Sequence, residues 1–280
     1  MKVKAAVLSE TGKPRPYANS LPLSIEEVEL DSPQSGEVLV QIKAAGLCHS
    51  DLVAVDGERA KPMPMVIGHE AAGIVCKLGP EVERLAVGDH VVTSYVASCG
   101  RCDMCQEGRP ALCLPATEAN KAGTLIDGTT RLHNNGQRIY HHSGVAAFSE
   151  HAVISQNALV KIDPKIPFEV AALFGCAVVT GVGSVVNTAN VSPGESVAIV
   201  GLGGVGLNAL LASIASGAGR VIAVDVKEKK LKIASQLGAH NTFNSTLENC
   251  VEQILDLTDG GVHFAFETAG VSPALDLAYK

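Results

Sequence analysis

The sequence predicts an α/β protein of two unlike domains, a β-rich first half of small-barrel or sandwich type and a doubly wound parallel sheet after it. Three observations carry this. To about residue 165 the chain runs as short β-branched or alternating stretches punctuated by Gly and Pro. Beyond Pro167, strand-like and helix-like stretches alternate, the pattern of a parallel sheet with crossover helices. At 280 residues the chain is long enough for two cores. The expected domains are 1–170 and 171–280.

In the first half, strands are expected at 3–8, 25–30, 38–44, 72–78, 90–95 and 148–154. Ser35-Gly36, Gly79-Pro80 and Asp127-Gly128 read as turns, and few helices are expected. Residues 168–187 read as a helix-rich crossing segment. Strands then follow at 196–200, 220–226, 240–244 and 262–267, with helices at 205–216, 228–237 and 247–257. The charge-free stretches 170–194 and 196–219 have the length of a membrane span. They are dense in Gly and lack interfacial aromatics, so they read as buried parts of the α/β core.

Composition narrows the function. The 22 Lys and Arg against 29 Asp and Glu leave a formal charge of −7, with no basic block to offset it, which argues against nucleic acid or an anionic membrane as partner. A hydrophobic share of 46% against a charged share of 18% excludes a disordered chain. Residues 1–9 hold too short an apolar stretch for a secretory leader, so a cytoplasmic location is expected.

Four of the eight cysteines, Cys99, Cys102, Cys105 and Cys113, fall within fifteen residues, with Gly100 and Gly108 relaxing the turns. Four thiolates fill a tetrahedral zinc shell and leave no open position, so such a site is structural. An iron–sulfur cluster also takes four cysteines. Disulfides are not expected in a cytoplasmic chain of this size. Cys48, His69 and Cys176 lie far apart in sequence, and spacing alone leaves them as core residues.

Gly201-Leu202-Gly203-Gly204-Val205-Gly206 follows a predicted strand, opens a predicted helix, and precedes a strand carrying Asp225, 19 residues past Gly206. This is the dinucleotide-binding pattern: the glycines let backbone N–H groups close on a pyrophosphate, and the acid meets the adenosine ribose. A carboxylate there repels a 2′-phosphate, so NAD is expected rather than NADP.

Taken in order, Gly46-Leu47-Cys48-His49-Ser50-Asp51, Gly68-His69-Glu70, the four-cysteine loop, Gly175-Cys176, the glycine loop and Asp225 resemble the zinc-dependent medium-chain alcohol dehydrogenases along essentially the whole chain. The resemblance implies a GroES-like catalytic domain followed by a Rossmann-type domain, with two zinc ions per chain and NAD. It implies a catalytic zinc held by Cys48, His69 and Cys176, with Glu70 as an occasional or indirect ligand. Ser50 matches the hydroxyl that passes the substrate proton outward, and Asp51 the carboxylate that orients the histidine. His49, Thr180, Val205 and Lys230 match cofactor contacts. Tyr95, His142 and Ser143 fall where the family lines its substrate pocket. The implied reaction is reversible hydride transfer from an alcohol to NAD.

Departures matter as much. Val53 stands where many members continue the proton relay with a histidine. Family members run on beyond Lys280, and about four of the six strands of a complete doubly wound sheet are expected here. The chain is therefore expected to be a fragment or truncated product. A non-catalytic zinc- and nucleotide-binding remnant is the alternative to an active enzyme. Dimers or tetramers are expected of full-length relatives. The pocket positions point to a polar or aromatic primary alcohol. Glutathione-dependent members hold a glutathione carboxylate with an Arg after the last zinc-loop cysteine, and none occurs between Arg109 and Arg131. Polyol dehydrogenases lack a cysteine at the place of Cys176. The pair His141-His142 reads as neighbouring surface histidines.

Overall fold

The computed structural model describes residues 1–95 and 97–280, in two compact units, Met1–Cys176 and Ala177–Lys280. In unit 1 the described strands are β1 (Lys2–Leu8), β2 (Leu23–Leu30), β3 (Glu37–Gly46), β4 (Met65–Val66), β5 (Glu70–Leu78), β6 (His90–Thr93), β7 (Leu132–Asn134), β8 (Gln137–His141), β9 (His151–Ser155) and β10 (Leu159–Lys161). β1, β2, β7, β8 and β4 close a barrel, while β10, β6, β5, β3 and β9 form a second sheet in that order. The barrel fills with alternate side chains of its strands, Val3, Ala5 and Val7 of β1 facing Val28 and Leu30 of β2. The second sheet buries Val38, Val40, Val75 and Ile154 in a separate cluster.

A buried ion pair ties the first residue of β3 to the bend just before β7. The Arg131 guanidinium donates to both Glu37 oxygens at 2.8 and 2.7 Å, and to Asp127 at 2.8 Å. A fork of this kind keeps two desolvated charges satisfied.

Unit 2 holds the parallel strands β11 (Ser196–Val200), β12 (Arg220–Asp225), β13 (Asn241–Asn244) and β14 (Phe264–Glu267) in the order β13-β12-β11-β14. Its two faces are both buried, as helices on either side require. Val197, Ile199, Val221 and Ala223 pack on one face, Ala198, Val200, Ile222 and Val224 on the other.

Several boundaries differ from expectation. The strand expected at 148–154 begins at His151, and the one at 90–95 ends at Thr93. The stretch 168–187 is broken into the short helix Phe168–Ala172, a 3₁₀ turn Leu173–Gly175, the helix Ala177–Gly183 and a π-helical turn Ser184–Ala189. The helices His49–Asp56 and Leu114–Ala122 were not expected, because neither shows a clean apolar stripe. Among the described residues no single helix is long and apolar enough to cross a membrane.

Candidate active site

The pairing of β3 with β5 assembles the first part of the site. Gly46, the last residue of β3, lies opposite Glu70, the first of β5, so the residues just outside the ladder, Cys48 and His69, emerge at one end. A Cβ on Gly46 would stand 2.5 Å from the Glu70 carboxylate, so a larger residue there would have to displace that side chain. Gly68 has φ +92, and a Cβ would strike Phe148. At Gly175 a Cβ would lie 2.7 Å from the Thr93 carbonyl, so only glycine lets the 3₁₀ turn press against β5 and β6 and deliver Cys176. Thr93, fully buried, braces the same corner by accepting from Ala71 N–H at 2.9 Å and donating to the His69 carbonyl at 3.0 Å.

The result is a compact donor set. The Cys48 and Cys176 sulfurs are 3.7 Å apart, and with a His69 nitrogen all three ligand atoms lie within 4.8 Å of one another. A tetrahedron of zinc–sulfur bonds has an S–S edge of about 3.8 Å. The Ser50 hydroxyl donates to the Cys48 sulfur at 3.2 Å and lies 3.4 Å from His69 Nε2. It therefore sits inside the helix His49–Asp56 beside the donor atoms, while Cys48 takes the N-cap position. His49 is exposed at the first helical position.

Behind this set, Asp51 is fully buried. Its Oδ2 accepts from Cys48 N–H at 2.9 Å, and its Oδ1 lies 3.1 Å from His69 Nδ1 and 3.0 Å from His142 Nδ1. The Cys48 and His69 contacts are hydrogen bonds, whereas His142 Nδ1 comes within ion-pair distance of the carboxylate without hydrogen-bond alignment. Charge follows geometry. Burial would raise the Asp51 carboxyl, but His142 and then His69 hold it well below the carboxylate range. Burial opposes charge on His69 too, yet Asp51 and Cys48 raise it to about 9. The Cys176 sulfur, then His69, draw the Cys48 thiol far down. The site thus favours positive charge at its centre, and a divalent cation bound there would take the place of the protons.

A cavity of about 390 Å³ opens over these residues, lined by Ser50, His69, Tyr95, His142, Ser143 and Cys176 among others. Val53 lines it as well. Tyr95 meets the His69 ring edge-on at 5.9 Å. Ser143 has a left-handed backbone, φ 55. The expectation that His141 and His142 are surface neighbours is corrected: both are buried, at 0% and 5% exposure, because β8 runs into the barrel and the following 3₁₀ turn folds inward. Glu70 is buried at the head of β5.

The second donor set is Cys99, Cys102, Cys105 and Cys113, whose sulfurs also lie within 4.8 Å of one another. Cys102 and Cys105 are 3.5 Å apart, and backbone N–H groups of Cys99 and Cys102 donate to the Cys113 and Cys99 sulfurs at 3.3 Å. The Arg101 backbone N–H is the largest influence bringing the Cys99 thiol down to about 6, whereas burial and then the Cys102 sulfur push the Cys105 thiol up to about 11. All eight cysteines are free, so no disulfide competes.

In unit 2 the glycine loop divides its tasks. Gly201 has φ +96, and a Cβ would stand 2.7 Å from Ala269 N. Gly206 meets the Gly201 carbonyl so closely that any side chain is excluded, whereas a Cβ on Gly203 would touch nothing within 4 Å. The space over Gly203 at the start of the helix Gly204–Ala215 is the cradle a pyrophosphate needs. Asp225 sits at the end of β12, its oxygens accepting from Leu202 N–H at 2.7 Å and Lys227 N–H at 2.9 Å. Lys230 Nζ lies 3.4 Å from the same carboxylate. Thr180 lies on the helix Ala177–Gly183, whose Gly181 packs on the Val205 carbonyl so closely that a Cβ would not fit. Thr268 donates to the Gly201 carbonyl at 2.6 Å and braces the loop, a role that no spacing in the sequence announced.

The chain has known relatives. The model of the alcohol dehydrogenase GroES-like domain matches residues 34–167, and that of the zinc-binding dehydrogenase domain residues 204–280. An S-(hydroxymethyl)glutathione dehydrogenase of Synechocystis sp. is 40% identical, covering 100% of this chain and 76% of its own length. One from Saccharomyces cerevisiae is also 40% identical, over 94% of this chain and 71% of its own. Benzyl alcohol dehydrogenase of Acinetobacter calcoaceticus superposes with a TM-score of 0.90 at 36% identity, over 99% of this chain and 73% of that one. With these matches spanning nearly the whole chain, it belongs to the zinc- and NAD-dependent medium-chain alcohol dehydrogenases.

Proposed function

We propose that the protein oxidises a primary alcohol, aromatic alcohols included, to the aldehyde with NAD, and runs the reverse reaction under reducing conditions. The observation that carries this is the 3.7 Å approach of the Cys48 and Cys176 sulfurs beside His69 in the floor of a pocket. In this reading residues 1–170 hold the zinc ions and substrate, and 171–280 hold NAD.

Cys48, His69 and Cys176 would hold the catalytic zinc, and Cys99, Cys102, Cys105 and Cys113 the structural one. Bound there, the catalytic metal supplies Lewis acidity toward a hydroxyl and the nicotinamide supplies a hydride acceptor. The protein's own groups do the rest. Asp51 keeps the His69 ring turned so that Nε2 faces the pocket. Ser50, with its hydroxyl beside Cys48 and His69, receives the alcohol proton and passes it toward solvent; Val53 ends the chain of side chains there, so the next carrier is water or the cofactor ribose. Tyr95, His142 and Ser143 shape the pocket around the carbinol carbon. Gly201, Gly203, Gly204 and Gly206 receive the pyrophosphate, with His49 as a further contact, and Asp225 and Lys230 meet the adenosine ribose.

Likeness to benzyl alcohol dehydrogenase supports an aromatic alcohol. The names of the 40%-identical relatives favour a second reading, S-(hydroxymethyl)glutathione. NADH absorbance separates the two when the zinc-loaded chain receives benzyl alcohol or glutathione with formaldehyde. NADH from either alcohol, abolished in Cys48→Ala, is the expected result. No NADH from any primary alcohol by folded, two-zinc protein would overturn the proposal.

A further inference from the structure

One flank of the pocket carries charge that the reaction does not use. Arg59, Lys61 and Lys121 line it, and no Asp or Glu is among its described lining residues, although the whole chain carries a net −7. The flank is built into the fold. Pro62 packs on Gly123, where a Cβ would stand 2.8 Å from its Cγ, so segment 59–62 lies against the end of the helix Leu114–Ala122. Lys61 Nζ donates to the Asn120 carbonyl at 2.8 Å, which occupies one of its three hydrogens. Lys61 is half-buried; burial and then the like charge of Arg59 push its ammonium down, and no carboxylate offsets them. Lys121 pairs with Glu118, but both side chains are about two-thirds exposed, at 68% and 71%, so that pair is weak and solvent-screened. A partly desolvated cation with two donors that no described residue takes up, next to a second cation and facing a cavity without an acid among its described lining, gains most from an anionic ligand.

We infer that Arg59 and Lys61, with Lys121 beside them, form a subsite for a carboxylate carried by the substrate, so that the preferred alcohol bears an acid group several atoms from its hydroxyl. The inference rests on the alcohol dehydrogenase reading and narrows it. Two sources share this chemistry: an aromatic acid such as 4-(hydroxymethyl)benzoate, and the carboxylates of S-(hydroxymethyl)glutathione. The absence of an Arg between Arg109 and Arg131 does not count against either, because here the cations come from a different segment, just before Pro62.

The test is a ratio. For wild type, Lys61→Met, Arg59→Gln with Lys61→Met, and Lys61→Arg, kcat/KM is measured with 4-(hydroxymethyl)benzoate, S-(hydroxymethyl)glutathione and neutral benzyl alcohol. The expected ratio of a carboxylated to the neutral alcohol exceeds about tenfold in wild type and falls by about tenfold or more in the double variant, chiefly through KM. Lys61→Arg restores most of it, and added salt lowers it. The carboxylated alcohol with the larger fall identifies the source. A purely structural Lys61, capping the helix end, would depress all three substrates alike and leave the ratio fixed, and that result overturns the inference. Turnover of benzyl alcohol reports separately on the alcohol dehydrogenase reading. Should the chain turn over none of the three, calorimetric binding of 4-(hydroxymethyl)benzoate to the zinc-loaded protein decides: weakening in the double variant supports the subsite, and equal affinity overturns it.

Discussion

One buried Asp51 oxygen is hydrogen-bonded to the His69 ring at 3.1 Å, with His142 Nδ1 3.0 Å away, and the first contact holds the ring proposed to bind the metal. Replacing the carboxylate with an amide keeps the shape and removes the charge that orients and strengthens His69 as a donor. Asp51→Asn should weaken zinc at the Cys48–His69–Cys176 site by about 10–100-fold, read by competition with a chelator, while the tetrathiolate site releases its zinc as before. Asp51 itself was legible through the family resemblance, but the burial of His142 against it was not, because adjacency to His141 suggested a surface pair. His141 matters in another way. Burial, then the Arg131 guanidinium, lower it to about 4, and its Nε2 accepts from Arg131 N–H at 3.1 Å. The unfolded imidazole takes a proton below about 6.5, whereas the folded one stays neutral until about 4. Its contribution to stability is therefore complete above the upper value and declines as pH falls through the window, by about 1.4 kcal/mol per pH unit at the steepest. Urea unfolding across that range should show the decline, and His141→Gln should flatten it; an unchanged slope in the variant would contradict this source.

At the scale of elements, the glycine loop makes a prediction that separates binding from folding. Gly203 faces open space and Gly206 faces the Gly201 carbonyl. Gly203→Val should leave the thermal transition near that of the parent and weaken NAD about tenfold or more, as titrated by calorimetry. Gly206→Val should instead unfold unit 2 at lower temperature, since helix and strand can no longer meet. The bidentate Glu37–Arg131 pair joins elements far apart in sequence, and Glu37→Gln should cost about 3 kcal/mol in urea unfolding by leaving a buried guanidinium half-paired. The parallel strands of unit 2 were legible because each is a compact apolar run flanked by turn signals. The β7–β8 hairpin was not, although Asn135-Gly136 with φ 49 and 79 is a turn pair made for it. Its strands hold only Leu132 and Ile139 as buried apolar anchors among polar residues, too few to reveal a period. The helices His49–Asp56 and Leu114–Ala122 escaped for the same reason: they are placed by the site and pocket they line.

For the molecule as a whole, the chemistry depends on two donor sets that the chain gathers by different means. The four cysteines of the loop are close in sequence, so their convergence was legible from spacing alone. Cys48, His69 and Cys176 are brought together by the β3–β5 register and by the close approach at Gly175, long-range geometry that spacing cannot encode. The chain covers 76% of the length of its Synechocystis relative, and both donor sets and the glycine cradle lie within that span. The central claim is that three distant residues hold a catalytic zinc distinct from the one in the loop. Elemental analysis of the purified parent and Cys176→Ser proteins tests it most directly: two zinc per chain in the parent and one in the variant are predicted, whereas one in the parent, or two retained in the variant, would contradict it.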